Sequence, residues 1–443
     1  MSNVLEWKKM DNSVFTIAQV ADMLGVSKET LRRWETSGKL IPDRNTENNY
    51  RLYSKSQLMQ FEQVQQLIDS KWDDESAAMP HRPYSVIELF AGAGGLALGM
   101  EKAGLKSVFL NEIDKHACNT LRENRPDWNV VEGDVANIDF TEYKNNVDIL
   151  SGGFPCQAFS YAGKKMGFED TRGTLFFEFA RAVKEVNPKV IIAENVRGLL
   201  KHENGKTLET IKGIIDELGY TLIEPKVLKA VFYKVPQKRE RLILIAVRKD
   251  IKEHISSFKW PSPYKRILNM RDALKAGVLY ETDVPESVGQ KYPLRKQQIL
   301  EMVPPGGYWR DLPKDVQLEY MKASFYLGGG KTGMARRLSW DEPSLTLTCS
   351  PAQKQTERCH PEYTRPLTVR EYARVQTFPD DWHFSGPITS QYRQIGNAVP
   401  VNLSYAVSRA VVLLMNSIER TTATKAKPSK RRLSSSTMES EIG

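Results

Sequence analysis

The chain has 443 residues, 40% of them hydrophobic and 26% charged, with a formal net charge of +9. That length predicts two or three domains, and no apolar run approaches the roughly eighteen residues that span a bilayer. Four cysteines (Cys118, Cys156, Cys349 and Cys359) without a CxxC pair exclude a disulfide framework or zinc ribbon and fit a reducing cytoplasm, while the positive charge permits a polyanionic partner without proving one.

Beyond an opening segment, MSNVLEWKKMDNS, that lacks a secretion signal's apolar core, residues 14–53 read as two short amphipathic helices joined by a glycine-containing turn. Ser27 is placed to cap the second helix. That helix, KETLRRWETSG, turns Lys28, Thr30, Arg32 and Arg33 outward, as a major-groove helix requires. NNYRLYS then reads as a β wing. The unit resembles the DNA-binding domain of MerR-type regulators. The resemblance implies a mostly α winged helix-turn-helix whose candidate DNA contacts are Lys28, Arg32 and Arg33; a helical protein-docking module is the competing reading. A polar helix, SKSQLMQFEQVQQLIDS, carries the unit to residue 72, and the charged, proline-containing stretch that follows predicts a linker over 73–84.

From residue 85 to about 250, strands (VIELF, SVFLNE, NVVEGD, VDILSGG, VIIAEN) alternate with amphipathic helices. This predicts an α/β fold, a parallel sheet with helices on both faces. The first strand ends in FAGAGG, where Gly92, Gly94 and Ala97 satisfy a G-x-G-x-x-A turn before a helix. Glu112 ends the second strand, near the offset at which an acid grips a ribose diol. Asp134 ends the third, where a carboxylate can accept from an adenine amino group. Acids in register at consecutive strand ends point to an adenosine-containing cofactor, because open α/β sheets bind ligands there. These residues leave NAD and S-adenosylmethionine both open.

Cys156, in GGFPCQAFS, follows the fourth strand and faces the same cleft. A free cysteine is most often a small buried apolar residue. Here Pro155 fixes the backbone before the thiol and the glycines leave it uncrowded. The fifth strand brings Glu194, and QKRERLILIAVR presents Arg239 and Arg241 at strand spacing. A thiol, a carboxylate and two guanidiniums beside an adenosine site make a reaction centre.

These residues resemble the DNA (cytosine-5) methyltransferases of bacterial modification systems, over about residues 84–415. The resemblance runs in order through ELFAGAGG, NEID, GDV, GGFPCQAFS, RGTLFFE, ENVRGLL, QKRERLILI, RPLTVREYARVQTFPDDW and QIGNAVP. It implies a Rossmann-like catalytic domain that uses S-adenosylmethionine. In the implied chemistry the Cys156 thiolate adds to cytosine C6, and Glu194 stabilises or protonates N3. Arg241, with Arg239 nearby, holds the cytosine O2 and orients Glu194. A thiol's ordinary pKa is about 8.5, so positive neighbours help to activate it. The resemblance places Phe90, Gly92, Gly95, Glu112, Ile113, Asp134, Val135, Leu175, Asn397 and Val399 around the methyl donor. Ile113 stands where relatives often carry an aromatic residue. The target base must be flipped out of its duplex, and the loop after the thiol, with Ser160 and Lys164, is implied to close over DNA.

Residues 251–363 lose the βα pattern and are implied to recognise sequence. GGYWRDLPKD, GGGKTGMARRLSW and SPAQKQTERCHPEYTR are the candidate readers. Cys359-His360 has no second ligand pair and gives no metal site. Residues 364–418 return to the catalytic domain, and 419–443 form a basic tail expected to be disordered. The implied partner is double-stranded DNA, with the chain's own promoter as a second candidate site beside the target, and no membrane. A cognate restriction endonuclease follows from family habit, and the state is monomer or dimer. The rival readings are an NAD-dependent oxidoreductase, a transfer-RNA cytosine-5 methyltransferase and a regulator with a dead methylase domain.

Overall fold

Thr16 and Gln19 start the first helix reciprocally. The Thr16 hydroxyl accepts the Gln19 amide, and the Gln19 side chain accepts the Thr16 amide. The computed structural model, which describes residues 14–26, 28–155 and 175–425, places this cap between β1 (Val14–Thr16) and α1 (Ile17–Met23). α2 (Lys28–Thr36) follows the turn; Ser27, its expected cap, lies outside the described residues. β2 (Asp43–Arg44) and β3 (Arg51–Ser54) form the wing, in the order β1-β3-β2. Glu35 of α2 fastens the wing through Arg44 at 2.5 Å and Arg51 at 2.6 Å.

The stretch expected as a linker carries a helix, Trp72–Ser76, and it is fastened down. Trp72 is buried because the Arg409 guanidinium lies 4.2 Å over its ring and donates to its carbonyl at 3.0 Å. Glu75 accepts from the Ser262 amide and hydroxyl. Helix Glu62–Ile68 buries Val64 and Leu67. All of these join one hydrophobic core that runs from Val20 and Leu31 of the helix-turn-helix to Tyr84, Leu228, Val231 and Tyr264. Lys229 donates to the Leu24 and Gly25 carbonyls at 3.0 and 3.2 Å, satisfying the end of α1. The N-terminal unit is thus built into the body of the protein.

The main sheet contains β4 (Tyr84–Leu89), β5 (Leu105–Glu112), β6 (Val130–Glu132), β7 (Ile149–Gly152), β8 (Val190–Val196), β9 (Tyr220–Leu222), β10 (Lys226–Lys229) and, after the short β11 (Gln237–Lys238), β12 (Glu240–Arg248). Its order is β10-β12-β8-β7-β4-β5-β6, with β9 also on β12. β6, β5, β4, β7 and β8 are parallel, as expected. β12 runs antiparallel to β8, β9 and β10. The reason is the spacing: the connections among β9, β10 and β12 are too short for the crossover that a parallel pair needs. Chain order reverses at β4, between β5 and β7, which opens a crevice at the carboxyl ends.

The C-terminal segments close over that crevice. Tyr372, Phe378, Trp382 and Ile395 share a core with Ala91, Ala93 and Ala97 of the first βα turn. Helix Val401–Lys425 lies against helix Gly95–Lys102, where the Ser404 hydroxyl donates to the Leu96 carbonyl at 2.6 Å. Among the described residues one helical stretch, Ile388–Thr421, is long and apolar enough to cross a membrane, and it is packed inside the protein. A separate small core holds Tyr292, Leu300, Trp309, Val316, Met321 and Cys359. Residues before it pack on the main body instead, through Tyr264 and Leu268 on one side and Met270 and Leu274 on the other. β13 (Ser344–Leu345) pairs in parallel with β11 as a separate two-stranded sheet, which ties this region to the chain just before β12.

Candidate active site

A cavity of about 840 Å³ opens at the carboxyl ends of β4, β5, β7 and β8. That size suits a nucleoside-sized ligand. The glycine turn after β4 forms its floor. Phe90 adopts a left-handed backbone (φ 59°), an uncommon conformation for a side-chain-bearing residue and one that clusters at functional sites. A Cβ on Gly95 would stand 2.3 Å from the Val399 carbonyl oxygen, so only glycine lets this helix start approach the closing segment. Phe90, Gly92, Gly95, Glu112, Ile113, Leu175, Asn397 and Val399 all line the cavity. The Glu112 carboxylate is held by three amides: Gly92 at 2.7 Å, Ile113 at 2.9 Å and Asp114 at 2.8 Å. Ile113 is 69% exposed, an apolar side chain left at the rim.

Asp134 and Val135 do not reach the wall among the described residues. The Asp134 carboxylate is used locally, accepting the Ala136 amide at 3.0 Å to start a short 3₁₀ turn, and Val135 is buried behind it.

The charged end of the cavity lies between β7, β8 and β12. Glu194 is buried, and Arg241 Nε sits 2.5 Å from its Oε1, a close charge contact without a well-directed hydrogen bond. Burial raises the Glu194 pKa, and Arg241 and then Arg239 oppose the rise. Its carboxyl is therefore easier to keep protonated than an exposed glutamate. Arg239 lines the same cavity. Its guanidinium is fully buried, donates to the Leu347 carbonyl at 3.0 Å and to Gly396 at 2.8 Å, and clamps two cavity-lining segments together. Burial and the neighbouring Arg241 push its pKa down to about 9.

Gly153, Phe154 and Pro155 line the wall beside Glu194. Cys156, Ser160 and Lys164, which follow them, lie outside the described residues, as does the tail from 426. The described thiols differ sharply. Cys118 and Cys359 are buried, and burial pushes them up to about 12 and 11. Cys349 is exposed, lines the cavity and donates to Asn397 Oδ1 at 3.2 Å.

The N-terminal contacts are partly engaged. Lys28 lies 3.6 Å from Glu342, Arg32 pairs with Glu29 at 3.0 Å, and Arg33 donates to Thr30 at 3.5 Å. His360 accepts the Glu362 and Tyr363 amides and faces Glu371 at 3.6 Å, which makes it a turn-former.

The profile of the C-5 cytosine-specific DNA methylases matches residues 84–412. The chain belongs to that family. The methylase is 72% identical over 406 residues to the Type II methyltransferase M.Eco47II of Escherichia coli, covering 92% of this chain and 97% of the relative. It is 59% identical over 408 residues to the Type II methyltransferase M.PspPI of Psychrobacter sp. (strain TA137), covering 92% and 98%. A solved methyltransferase from an E. coli prophage, named for DNA modification, matches with a TM-score of 0.54 at 25% identity, over 75% of this chain and 99% of that one. Residues 16–53 match the MerR family of regulatory proteins. The methylase thus transfers a methyl group to C5 of cytosine in DNA, on a Rossmann-like α/β fold with an N-terminal DNA-binding helix-turn-helix, and its family implies S-adenosylmethionine-dependent chemistry.

Sequence reasoning passed over three side chains in the methylase cavity. Glu88 is wholly buried beneath the glycine turn, its Oε2 has no hydrogen-bond partner, and burial raises its pKa well above the usual range. An acid at the end of an otherwise apolar parallel strand was the available signal. Thr348 and Cys349 lie far from the motifs in sequence, and only folding brings them to the wall.

Proposed function

We propose that S-adenosylmethionine occupies this cavity and that its floor is the glycine turn. The chemistry of the donor set fits such a group: Glu88 supplies an orphaned buried carboxyl oxygen for a cation, and Gly95 leaves room where a Cβ would clash. Bound there, the cofactor supplies an electrophilic methyl group. Phe90, Gly92, Gly95, Glu112, Ile113, Leu175, Asn397 and Val399 would hold it; Asp134, set back from the wall, would reach its adenine end only through the carboxylate oxygen that the local turn leaves over, with Val135 packed behind.

The Cys156 thiolate then adds to C6 of the flipped cytosine, and Glu194 donates a proton to N3, leaving an enamine. With a methyl group delivered to C5, a water molecule would take the C5 proton, the N3 proton would return to Glu194, and the C6–S bond would break to release Cys156 as thiolate. Arg241 positions Glu194 throughout, and Arg239 braces the walls. Ser160 and Lys164 would contact the duplex. The observation that carries the reading is the meeting of the glycine turn, the Gly-Phe-Pro wall that runs into Cys156 and the Glu194–Arg241 pair in one cavity. Duplexes carrying 5-fluorocytosine test it: the wild-type protein should become covalently attached, and Cys156→Ser should not. Normal turnover by Cys156→Ser would refute it. Bisulfite sequencing of host DNA with and without the gene reads out base and site together.

The same proposal divides the chain into a helix-turn-helix unit to residue 72, a catalytic body, a target-recognition region within 251–363 and returning C-terminal segments. The enzyme would serve a restriction–modification system in the cytoplasm beside a cognate endonuclease. The helix-turn-helix, through Arg32, Arg33 and Lys28, would bind the chain's own promoter and limit expression. MerR-type domains dimerise through a helix like Glu62–Ile68, whose Val64 and Leu67 are here spent on the chain's own core, which supports a monomer. Promoter occupancy that survives deletion of residues 1–75 would defeat the autoregulatory reading.

A further inference from the structure

The small core around Trp309 sends a loop into solvent that does not resemble an ordinary surface turn. Tyr326 is 80% exposed and Leu327 66%, side by side at the tip. Three glycines follow, and a Cβ on Gly328 or Gly329 would meet nothing within 4 Å. The tip is nevertheless supported. Tyr326 packs edge-on to Phe325 at 5.3 Å, and Phe325 to the buried Trp309 at 5.8 Å. Lys331 closes the loop by donating to the Ser324 and Leu327 carbonyls. A large apolar pair is therefore held outward on a rigid aromatic post, against the usual driving force for burial.

The surroundings indicate the partner. Lys314 Nζ lies 4.7 Å over the Phe325 ring, and Arg310 lies 5.3 Å over Trp309. Lys322 is exposed between helix Lys314–Met321 and the tip. Of the acids nearby, Asp311 accepts the Tyr308 amide and Glu319 pairs with Arg295, which leaves Asp315. Aromatic rings interleaved with cations fit a polyanion that also offers apolar edges, which is the composition of a DNA groove. The same small core reaches the cavity wall, because Arg358 donates to the Thr346 carbonyl and Thr346 to Cys349 line the cavity.

We propose that Tyr326 and Leu327 are specificity-determining residues: they enter the groove of the substrate duplex and make the apolar base-edge contact, while Arg310, Lys314 and Lys322 hold the flanking phosphates. The proposal rests on the DNA-methylating reading above and names residues within its target-recognition region.

The test uses the full chain, a duplex bearing the methylated site mapped by bisulfite sequencing, and duplexes in which each base pair of the site is changed in turn. Y326A/L327A should lose about tenfold of the preference for the site over at least one altered duplex, the usual scale for a single mismatched base pair. Its thermal midpoint should stay near wild type, because both side chains are exposed at the loop tip. R310A/K314A should weaken binding to every duplex alike and flatten the salt dependence by about two, one for each lost phosphate contact. Unchanged discrimination in Y326A/L327A overturns the proposal, and so does a variant that alters only self-association, which would make the tip a protein interface. A wild-type chain that leaves DNA unmethylated brings down the underlying reading as well.

Discussion

Arg241→Ala is the most informative single change. In the wild type, Arg241 Nε lies 2.5 Å from Glu194, and both side chains are about nine-tenths buried. Arg239 cannot swing in as a substitute, because the Leu347 and Gly396 carbonyls hold it. The variant therefore leaves a buried carboxylate that has lost its ion-pair partner, a defect of about 3–5 kcal/mol. The carboxyl can escape that cost by taking up a proton. Against an unfolded glutamate near pKa 4.3, this costs about 4 kcal/mol at pH 7.5 but only about 2 at pH 5.5. The sign follows from linkage: the folded variant holds a proton that the unfolded chain releases, so stability is regained as pH falls. Thermal unfolding midpoints of wild type and Arg241→Ala, measured from pH 5.5 to 7.5, should converge toward the acid end. Adding Glu194→Gln to the variant should abolish that convergence. A gap independent of pH, or one that Glu194→Gln leaves intact, would show that Arg241 does not set the charge state of Glu194.

Three further outcomes are expected. Gly95→Ala forces a methyl group to within 2.3 Å of the Val399 carbonyl, so stability should fall by about 1–3 kcal/mol and cofactor affinity should fall with it; calorimetry and thermal unfolding report both. Trp72→Ala removes a buried ring stacked under Arg409 and should cost about 3–5 kcal/mol, with faster proteolysis between residues 54 and 84 as the readout. Glu88→Gln should remove a pH-dependent penalty, since the raised Glu88 carboxyl holds a proton that the unfolded chain loses above pH about 4.3. The ligand-free protein should gain stability as pH rises relative to wild type, while cofactor binding, followed by calorimetry, weakens.

Much of the site was legible because its chemistry is written in contiguous motifs. The glycine turn, Glu112 and Glu194 lie at or near the carboxyl ends of parallel strands, which converge in any open α/β sheet, and Arg241 joins them from the start of the antiparallel β12. Asp134 shows what strand-end position leaves out: one of its carboxylate oxygens accepts the Ala136 amide in a local turn, a contact that strand spacing does not predict. Arg239 and Arg241 read alike at strand spacing. Only the fold separates a clamp on the Leu347 and Gly396 carbonyls from a partner for Glu194, because those carbonyls come from segments more than a hundred residues away.

The sequence by itself determined the strand-end acids and the helix-turn-helix, which depend on short-range spacing and side-chain chemistry, and its ordered motifs carried the family resemblance that implies the reaction class. Tertiary structure alone decided that the helix-turn-helix shares its core with the catalytic body, that Glu88 is an orphaned acid at the cavity beneath the glycine turn and that Tyr326 stands on an aromatic post. These depend on which distant apolar surfaces meet and exclude water, and local patterning carries no record of that choice.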